Sequence, residues 1–369
     1  MRLGLMASIV ISVACSGADA RIDRPRERTS SVDAIATSLD SARLDRALTR
    51  ARQLPRLRSL LVQWKGDVVA ETYYHGASRA GRANIKSASK SLMSALVGIA
   101  IEQGKIRDVN QTIGELLPLE TRTLNLAKRA ITVGDLLSMR SGLQSTSFNN
   151  YGSWVSSRNW VANALSRPLV AEAGGPMIYS TGSTHILSAI ITRATGMDTH
   201  RFASRNFAGP LGVTLRPWQK DPQGIYFGGN DMYLTPRDML KVGTLYLNRG
   251  ALDGKRILPR AWVDSSLVPR TVSPFNGNQY GYGWWTRTAN RHDIHYAWGY
   301  GGQFIFVVPD LQLVVVTTSD AESSRDGGHT GEIHRILEEE IMPAVSQTQL
   351  RTEDRKRADC GLIANCGQL

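Results

Sequence analysis

The chain has 369 residues, 42% of them hydrophobic, which suits a folded protein with a large core and excludes a disordered or fibrous one outside the ends. Its formal net charge is +12, but the basic residues are spread out rather than gathered into Lys/Arg blocks interleaved with aromatics. A solvated basic surface is therefore expected, nucleic acid is not an expected partner, and beyond the first 20 residues no stretch approaches the apolar length of a membrane span.

Residues 1–20 read as an export signal: Arg2 gives the positive start, Leu3 to Val13 the apolar stretch, and Ala18-Asp19-Ala20 the small-x-small cleavage site. The mature chain is expected to begin near Arg21, and the protein to be exported, periplasmic or secreted. Ser12-Val13-Ala14-Cys15 faintly resembles a lipoprotein box, but Ser12 stands where a larger aliphatic belongs, so no lipid anchor at Cys15 is expected. Cys360 and Cys366 remain in the polar tail, as a loop-closing disulfide or as two unpaired thiols. No histidine or carboxylate pattern near them suggests a metal.

Residues 21–37 are polar and Arg-rich. Leu44, Ala47, Leu48 and Ala51 then mark one face of a helix that Pro55 ends. Leu57 to Trp64 and Val68 to Tyr74 are strand-like runs about the turn Lys65-Gly66-Asp67. From about Ala80 helices take over. Ser87 to Gln103 is apolar on most faces and so predicts a buried helix, with Gly104 as its stop. Thr132 to Met139 is a helix with a Thr-x-x-Asp start, ended by Ser141-Gly142. Tyr151 to Gly182, rich in Trp, Tyr, Asn and Gly, suits loops that line a cleft. His185 to Ala194 is helical and Gly196 closes it. Thr235-Pro236-Arg237-Asp238 opens a helix that runs to Leu247, and Pro259 to Leu267 is another. Strands return at Tyr282 to Arg287, Phe304 to Val308 and Leu311 to Thr318, the last two joined through Pro309-Asp310. A terminal helix spans Gly331 to Ile341, with Pro343 as its end.

Strands at both ends of the chain with a helical block between them predict an α/β (α+β) fold: one antiparallel sheet flanked by helices, with an inserted, mostly helical lobe. The boundaries expected are an N-terminal segment and helix over 21–54, a catalytic domain over 55–345 and a polar tail over 346–369. Within the domain, the sheet lobe takes about 55–80 and 235–345 and the helical lobe about 81–234.

Three stretches carry chemistry. Ser87 and Lys90 lie three apart at the start of the buried helix, so hydroxyl and amine share a face. A lysine activates a serine only if burial or nearby positive charge lowers its pKa, and the mouth of a buried helix meets that condition. The pair alone arises by chance about once in a chain this long, and its bland reading is a capped surface helix. The second stretch is Tyr179-Ser180-Thr181-Gly182, whose phenol beside an ammonium would have its anion favoured and serve as general base, then acid. The third is Trp298-Gly299-Tyr300-Gly301-Gly302-Gln303, where glycines at a strand edge allow close approach of substrate and free N–H groups to complete an oxyanion hole with Ser87. Trp298 is either a packing aromatic or a ligand contact. His295 and Asp293 invite a Ser-His-Asp reading, but no Gly-x-Ser-x-Gly elbow occurs.

Taken in order, these stretches resemble the serine β-lactamase and penicillin-binding-protein superfamily, for which Ser-x-x-Lys is a signature. The likeness runs from about residue 55 to about 340, and is greatest to the class C β-lactamase-like branch of esterases, D-amino-acid peptidases and 6-aminohexanoate-dimer hydrolases. Ile131 to Leu137, Ser141-Gly142-Leu143 and Leu234 to Asp238 support it. The resemblance implies an acyl-enzyme on Ser87, with Lys90 as proton partner, Tyr179 as second base, and no metal or organic cofactor. It places Tyr151 and Trp154 in an aromatic loop beside the acyl pocket, and Gly301, Gly302 and Gln303 at the oxyanion or substrate edge. Two departures matter. Thr181 stands where the family often has Asn, and no cation occupies the place of the Lys-Thr-Gly that recognises a β-lactam carboxylate. The expected function is hydrolysis of a small-molecule or peptide-like ester or amide. The alternatives are a β-lactamase or penicillin-recognising D-amino-acid peptidase, and a catalytically silent member of the fold.

Overall fold

Two apolar runs separated by a Lys-Gly pair fold back on each other when both turn residues take left-handed backbone, because that twist matches the strands. Lys65 (φ 51°) and Gly66 (φ 93°) do so. In the computed structural model, which describes residues 39–322 and 327–346, they join β1 (Leu57–Trp64) and β2 (Asp67–Tyr73). Asp67, expected in the turn, opens the second strand. The export signal, Cys15, Cys360 and Cys366 lie outside the described residues.

The other strands of the main sheet are β3 (Thr271–Val272), β4 (Gln279–Tyr280), β5 (Trp285–Ala289), β6 (His292–Gly299), β7 (Gln303–Val308) and β8 (Leu313–Ser319). All pairings are antiparallel, in the order β2-β1-β8-β7-β6-β5-β4-β3. The two ends of the chain meet in the β1–β8 ladder, where Leu61 faces Val316 and Val62 faces Val315. This is the antiparallel sheet with flanking helices that the sequence predicts.

Side chains on a strand alternate between faces, and here the alternation sorts them into two cores. Leu60, Val62, Phe304, Phe306 and Val315 belong to one cluster with Leu44 and Ala47 of α1 (Ser41–Arg52), while Leu61, Ile305, Val307, Val314 and Val316 belong to the other. The second cluster also holds α2 (Ser89–Glu102), α3 (Thr181–Thr195), α4 (Pro236–Leu247) and α5 (Arg260–Leu267). With helices over both faces, β7 and β8 are buried along their whole length and read as continuous apolar runs. Gly243 of α4 is the close-approach point, since a Cβ there would lie 2.4 Å from Val314.

Local signals start and stop the helices. Thr235 and Asp238 form a reciprocal capping box at α4, as do Thr132 and Asp135 at Val133–Leu137. Gly196 ends α3 in the left-handed conformation (φ 68°). Among the described residues no helix is long and apolar enough to cross a membrane.

The structure departs from expectation at several places, among them the stretch expected as cleft loops, which holds short helices at Tyr151–Val155 and Trp160–Ser166. β6 was not foreseen, because His292, Asp293 and His295 dilute its apolar alternation, and the strand expected at Tyr282 begins at Trp285. Pro309–Leu311 is a 3₁₀ turn completed by left-handed Gln312 rather than a two-residue hairpin. Finally, α6 (His329–Arg335) continues past Pro343 to Ser346. Residues Ile336–Ile341 form a π-turn, and side chains of Asn290 and Arg43 donate to the Glu338 and Glu339 carbonyls, one turn before Pro343, which has no N–H to give.

Every residue of α2 from Ser89 to Ala100 is buried. Gly98 lies against the indole of Trp262 on α5, where a Cβ would come within 2.4 Å of the ring. Alanine is worth up to about 1 kcal/mol over glycine in a helix interior, but overpacking a core costs roughly 1–3 kcal/mol. Gly98→Ala is therefore expected to lower unfolding stability in urea, despite its better helix propensity.

Candidate active site

Ser87 sits in the 3₁₀ turn Lys86–Ala88 that leads into α2, with Lys90 in the first turn of the helix. The turn is pinned from two sides. Lys86, at φ 49°, donates its N–H to Asn84 Oδ1 at 2.9 Å. The end of β6 lies so close that a Cβ on Gly299 would stand 2.0 Å from the Ile85 carbonyl, so glycine is required there.

Lys90 is 2% exposed. Its Nζ lies 3.0 Å from Ser87 Oγ, 2.8 Å from the Gly229 carbonyl and 3.3 Å from Thr181 Oγ1. Burial, with no compensating carboxylate, pushes its pKa down to about 7. Close to neutrality the amine is thus often uncharged. It then has two N–H groups for Gly229 and Thr181 and a lone pair aimed at the serine hydroxyl.

Tyr179, just before α3, lies beside Ser87 in the cavity lining, and Lys90 Nζ lies 5.1 Å from its ring centroid. The ring stacks on Trp285 at 5.9 Å and meets Tyr280 edge-on at 6.5 Å. Burial lifts its pKa to about 12. The expectation of a favoured phenolate is corrected here: desolvation outweighs the attraction, because the same burial removes the ammonium charge that would hold the anion. Thr181 is braced by Ser147, whose Oγ accepts the Thr181 N–H at 2.9 Å and lies 3.0 Å from Thr181 Oγ1.

These groups open into a cavity of about 550 Å³. Of the residues singled out from sequence, Ser87, Tyr151, Tyr179, Thr181 and Trp298 line it. The others are Ser147, Phe148, Asn230, Ser273, Phe275, Asn276, Trp285 and Tyr300, so among the described residues no Lys, Arg, Asp, Glu or His borders it.

Several expected contacts fall elsewhere. Trp154 is fully buried behind Tyr151, giving its indole N–H to the Trp160 carbonyl at 2.9 Å. Gln303 is also fully buried and clamps β7 to β8, donating to Ser319 O at 2.6 Å and accepting Ser319 N–H at 3.1 Å. Gly301 (φ 85°) and Gly302 (φ 102°) turn the β6–β7 hairpin and pack toward Ala321 and Ser319, away from the cavity lining. It is Trp298 and Tyr300, flanking Gly299, that border the cavity. His295 and Asp293 pair with Thr286 and Thr288 on β5, outside the cavity lining, which removes the Ser-His-Asp reading.

Sequence reasoning missed the Gly229 carbonyl, Ser147 and Asn230, whose amide donates to Tyr151 Oη at 3.1 Å. The run Gly228-Gly229-Asn230 was the available signal. A Cβ on either glycine would stand 2.1 Å from Thr184, so the loop reaches Lys90 only because both are glycine. Phe148, Phe275 and Trp285 carry no comparable mark.

The depressed lysine pKa has a thermodynamic consequence. Unfolded, Lys90 keeps its proton up to about pH 10.4, whereas folded it loses it near 7. Between these values the unfolded state binds the extra proton, so stability rises with pH. The Lys90 contribution approaches about 1.4 kcal/mol per pH unit in that window. Urea unfolding at pH 7 and pH 9 is expected to show the wild type gaining on Lys90→Met by that slope.

A family model described as Beta-lactamase matches residues 52–337. The 6-aminohexanoate-dimer hydrolase of Paenarthrobacter ureafaciens is 25% identical over 326 residues, covering 80% of this chain and 79% of that protein. Among solved structures, EstCE1, a hydrolase with promiscuous acyltransferase activity, superposes with a TM-score of 0.67 at 18% identity, over 81% of this chain and 99% of that one. The octameric penicillin-binding protein homologue from Pyrococcus abyssi gives a TM-score of 0.62 at 18% identity, over 81% and 77%. The chain belongs to the Beta-lactamase family and is a hydrolase on the serine β-lactamase fold.

Proposed function

We propose that the protein hydrolyses an uncharged ester or amide through an acyl-enzyme on Ser87. The observation that carries this is the contact of Ser87 Oγ with the buried amine of Lys90 at 3.0 Å, beside a cavity that, among the described residues, no Lys, Arg, Asp, Glu or His lines. As Ser87 attacks the acyl carbon, its proton passes to the lone pair of Lys90. The phenol of Tyr179 gives its proton to the departing alcohol or amine, and Lys90 returns one to the phenolate, so the acylated enzyme holds no net new charge. Water then attacks the acyl carbon, giving its proton to the same amine, which passes it to Ser87 Oγ as the acyl–oxygen bond breaks, releasing the acid and restoring the free hydroxyl and the neutral amine.

The lining sets the substrate class. Phe148, Phe275 and Tyr300 stand 61%, 64% and 50% exposed at the cavity, offering apolar and aromatic surface to an acyl group. A carboxylate-bearing β-lactam finds no cation there, and the zwitterionic aminohexanoate dimer no counter-charges. We also take residues 1–20 as an export signal; N-terminal sequencing of protein recovered from outside the cytoplasm should begin near Arg21.

Ser87→Ala is expected to abolish both hydrolysis of a small chromogenic ester and labelling by a fluorophosphonate; retained labelling would sink the reading. Lys90→Met and Tyr179→Phe should each lower kcat by roughly 10²- to 10⁴-fold. The kcat/KM of the wild type should rise with pH through about 7 as Lys90 loses its proton. A stable mass adduct of penicillin at Ser87 would favour the peptidase or β-lactamase alternative instead.

A further inference from the structure

Besides Ser87, two groups hold the amine of Lys90, and they come from separate segments: Thr181 from the first turn of α3, and Gly229 from the loop that precedes α4. His185 joins those segments. It lies one turn beyond Thr181 on α3, and its side chain and that of Asp221 are fully buried, with Nε2 and Oδ2 3.0 Å apart. On the opposite side of the ring, Gly228 N–H donates to Nδ1 at 3.4 Å. A donor facing Nδ1 requires that nitrogen to be bare, so the proton sits on Nε2 and is given to Asp221. The other carboxylate oxygen of Asp221 accepts the N–H groups of Gln223 and Ile225, each at 2.9 Å, which closes the turn that delivers Gly228. Trp154, Trp160 and Phe227 enclose the imidazole at 5.8, 5.3 and 5.9 Å, and burial pushes its pKa down, so the ring stays neutral.

We propose that His185 and Asp221 are positioning residues for Lys90: the carboxylate fixes the ring tautomer, the ring seats Gly228, and the adjoining Gly229 carbonyl is thereby aimed at Nζ. This rests on the reading of Lys90 as proton acceptor for Ser87. Neither residue lines the cavity, so neither selects substrate. The titratable group that faces Lys90 is Tyr179; Ser87, Thr181 and Gly229 are its other polar neighbours.

Asp221→Asn is the sharp test, because it keeps the volume but cannot serve all its partners. If the amide faces Nε2, the imidazole must move its proton to Nδ1, against the Gly228 N–H; if it is flipped, it faces the N–H groups of Gln223 and Ile225. Either way the loop shifts and water reaches Lys90. The expected result with a small neutral ester is a fall in kcat of about tenfold or more with KM within about twofold. The acidic limb of kcat/KM, near 7 in the wild type, should move up by roughly half a pH unit or more. A folded variant of lowered stability but unchanged kcat and unchanged limb would overturn the proposal. Should Asp221→Asn not fold, ¹⁵N-histidine NMR of the wild type decides, with His185→Gln identifying the resonances: the Nε2–H tautomer without titration between about pH 6 and 8 is expected. An Nδ1–H tautomer or a titrating ring would overturn it. A wild type with no limb near pH 7, or an active Ser87→Ala, would instead show that the acyl-enzyme reading itself fails, and this proposal with it.

Discussion

The arrangement depends on keeping one amine out of water. An alkylammonium is among the costliest groups to bury, and a protein relieves the cost by pairing the charge or by giving up the proton. Here no carboxylate is supplied, and three oxygens, from Ser87, Thr181 and Gly229, surround Nζ instead. The proton is therefore the part that gives way. Sealing the site takes the buried length of α2, the first turns of α3, and a glycine loop pressed against Thr184 of α3. The aromatic wall of Tyr179 and Trp285 completes it. The same exclusion of water that lowers the pKa of Lys90 raises that of Tyr179.

Much of this was legible from residues that act locally. Ser-x-x-Lys ahead of an apolar run places hydroxyl and amine together whatever the rest of the fold does, since helical spacing alone brings them to one face. The capping pairs Thr132/Asp135 and Thr235/Asp238 and the helix stop at Gly196 are likewise decided within a few residues. The sheet was legible where it is buried on both faces, as at Phe304 to Val308, because full burial demands an unbroken apolar run. β6 was hidden because its outward positions carry His and Asp.

What stayed hidden was set by long-range packing. Gly301 and Gly302 look like an oxyanion edge in sequence, yet their positive φ values serve a hairpin turn, and it is Gly299 that lets the strand touch the serine turn. Trp154 and Tyr151 share one face of a short helix and their rings touch, but only Tyr151 reaches the cavity, because Trp154 packs behind it against Trp160, His185 and Phe227. The electrostatics could not be read either. A tyrosine beside a lysine suggests a phenolate only while the lysine stays charged, and that is decided by burial contributed from the far-off Gly229 loop.

The sheet topology also imposes an order of events on the newly made chain. β1 belongs between β2 and β8, and the serine turn rests on Gly299 of β6, so the second partner of β1 and the support of that turn lie in the last third of the sequence. Until that part has been synthesised, only β1 and β2 of the eight strands are present for α2 to cover, and the serine turn lacks its support on Gly299. Such late, non-local closure makes for slow folding. It also means that the burial on which the proposed chemistry rests is complete only once the last strands are in place.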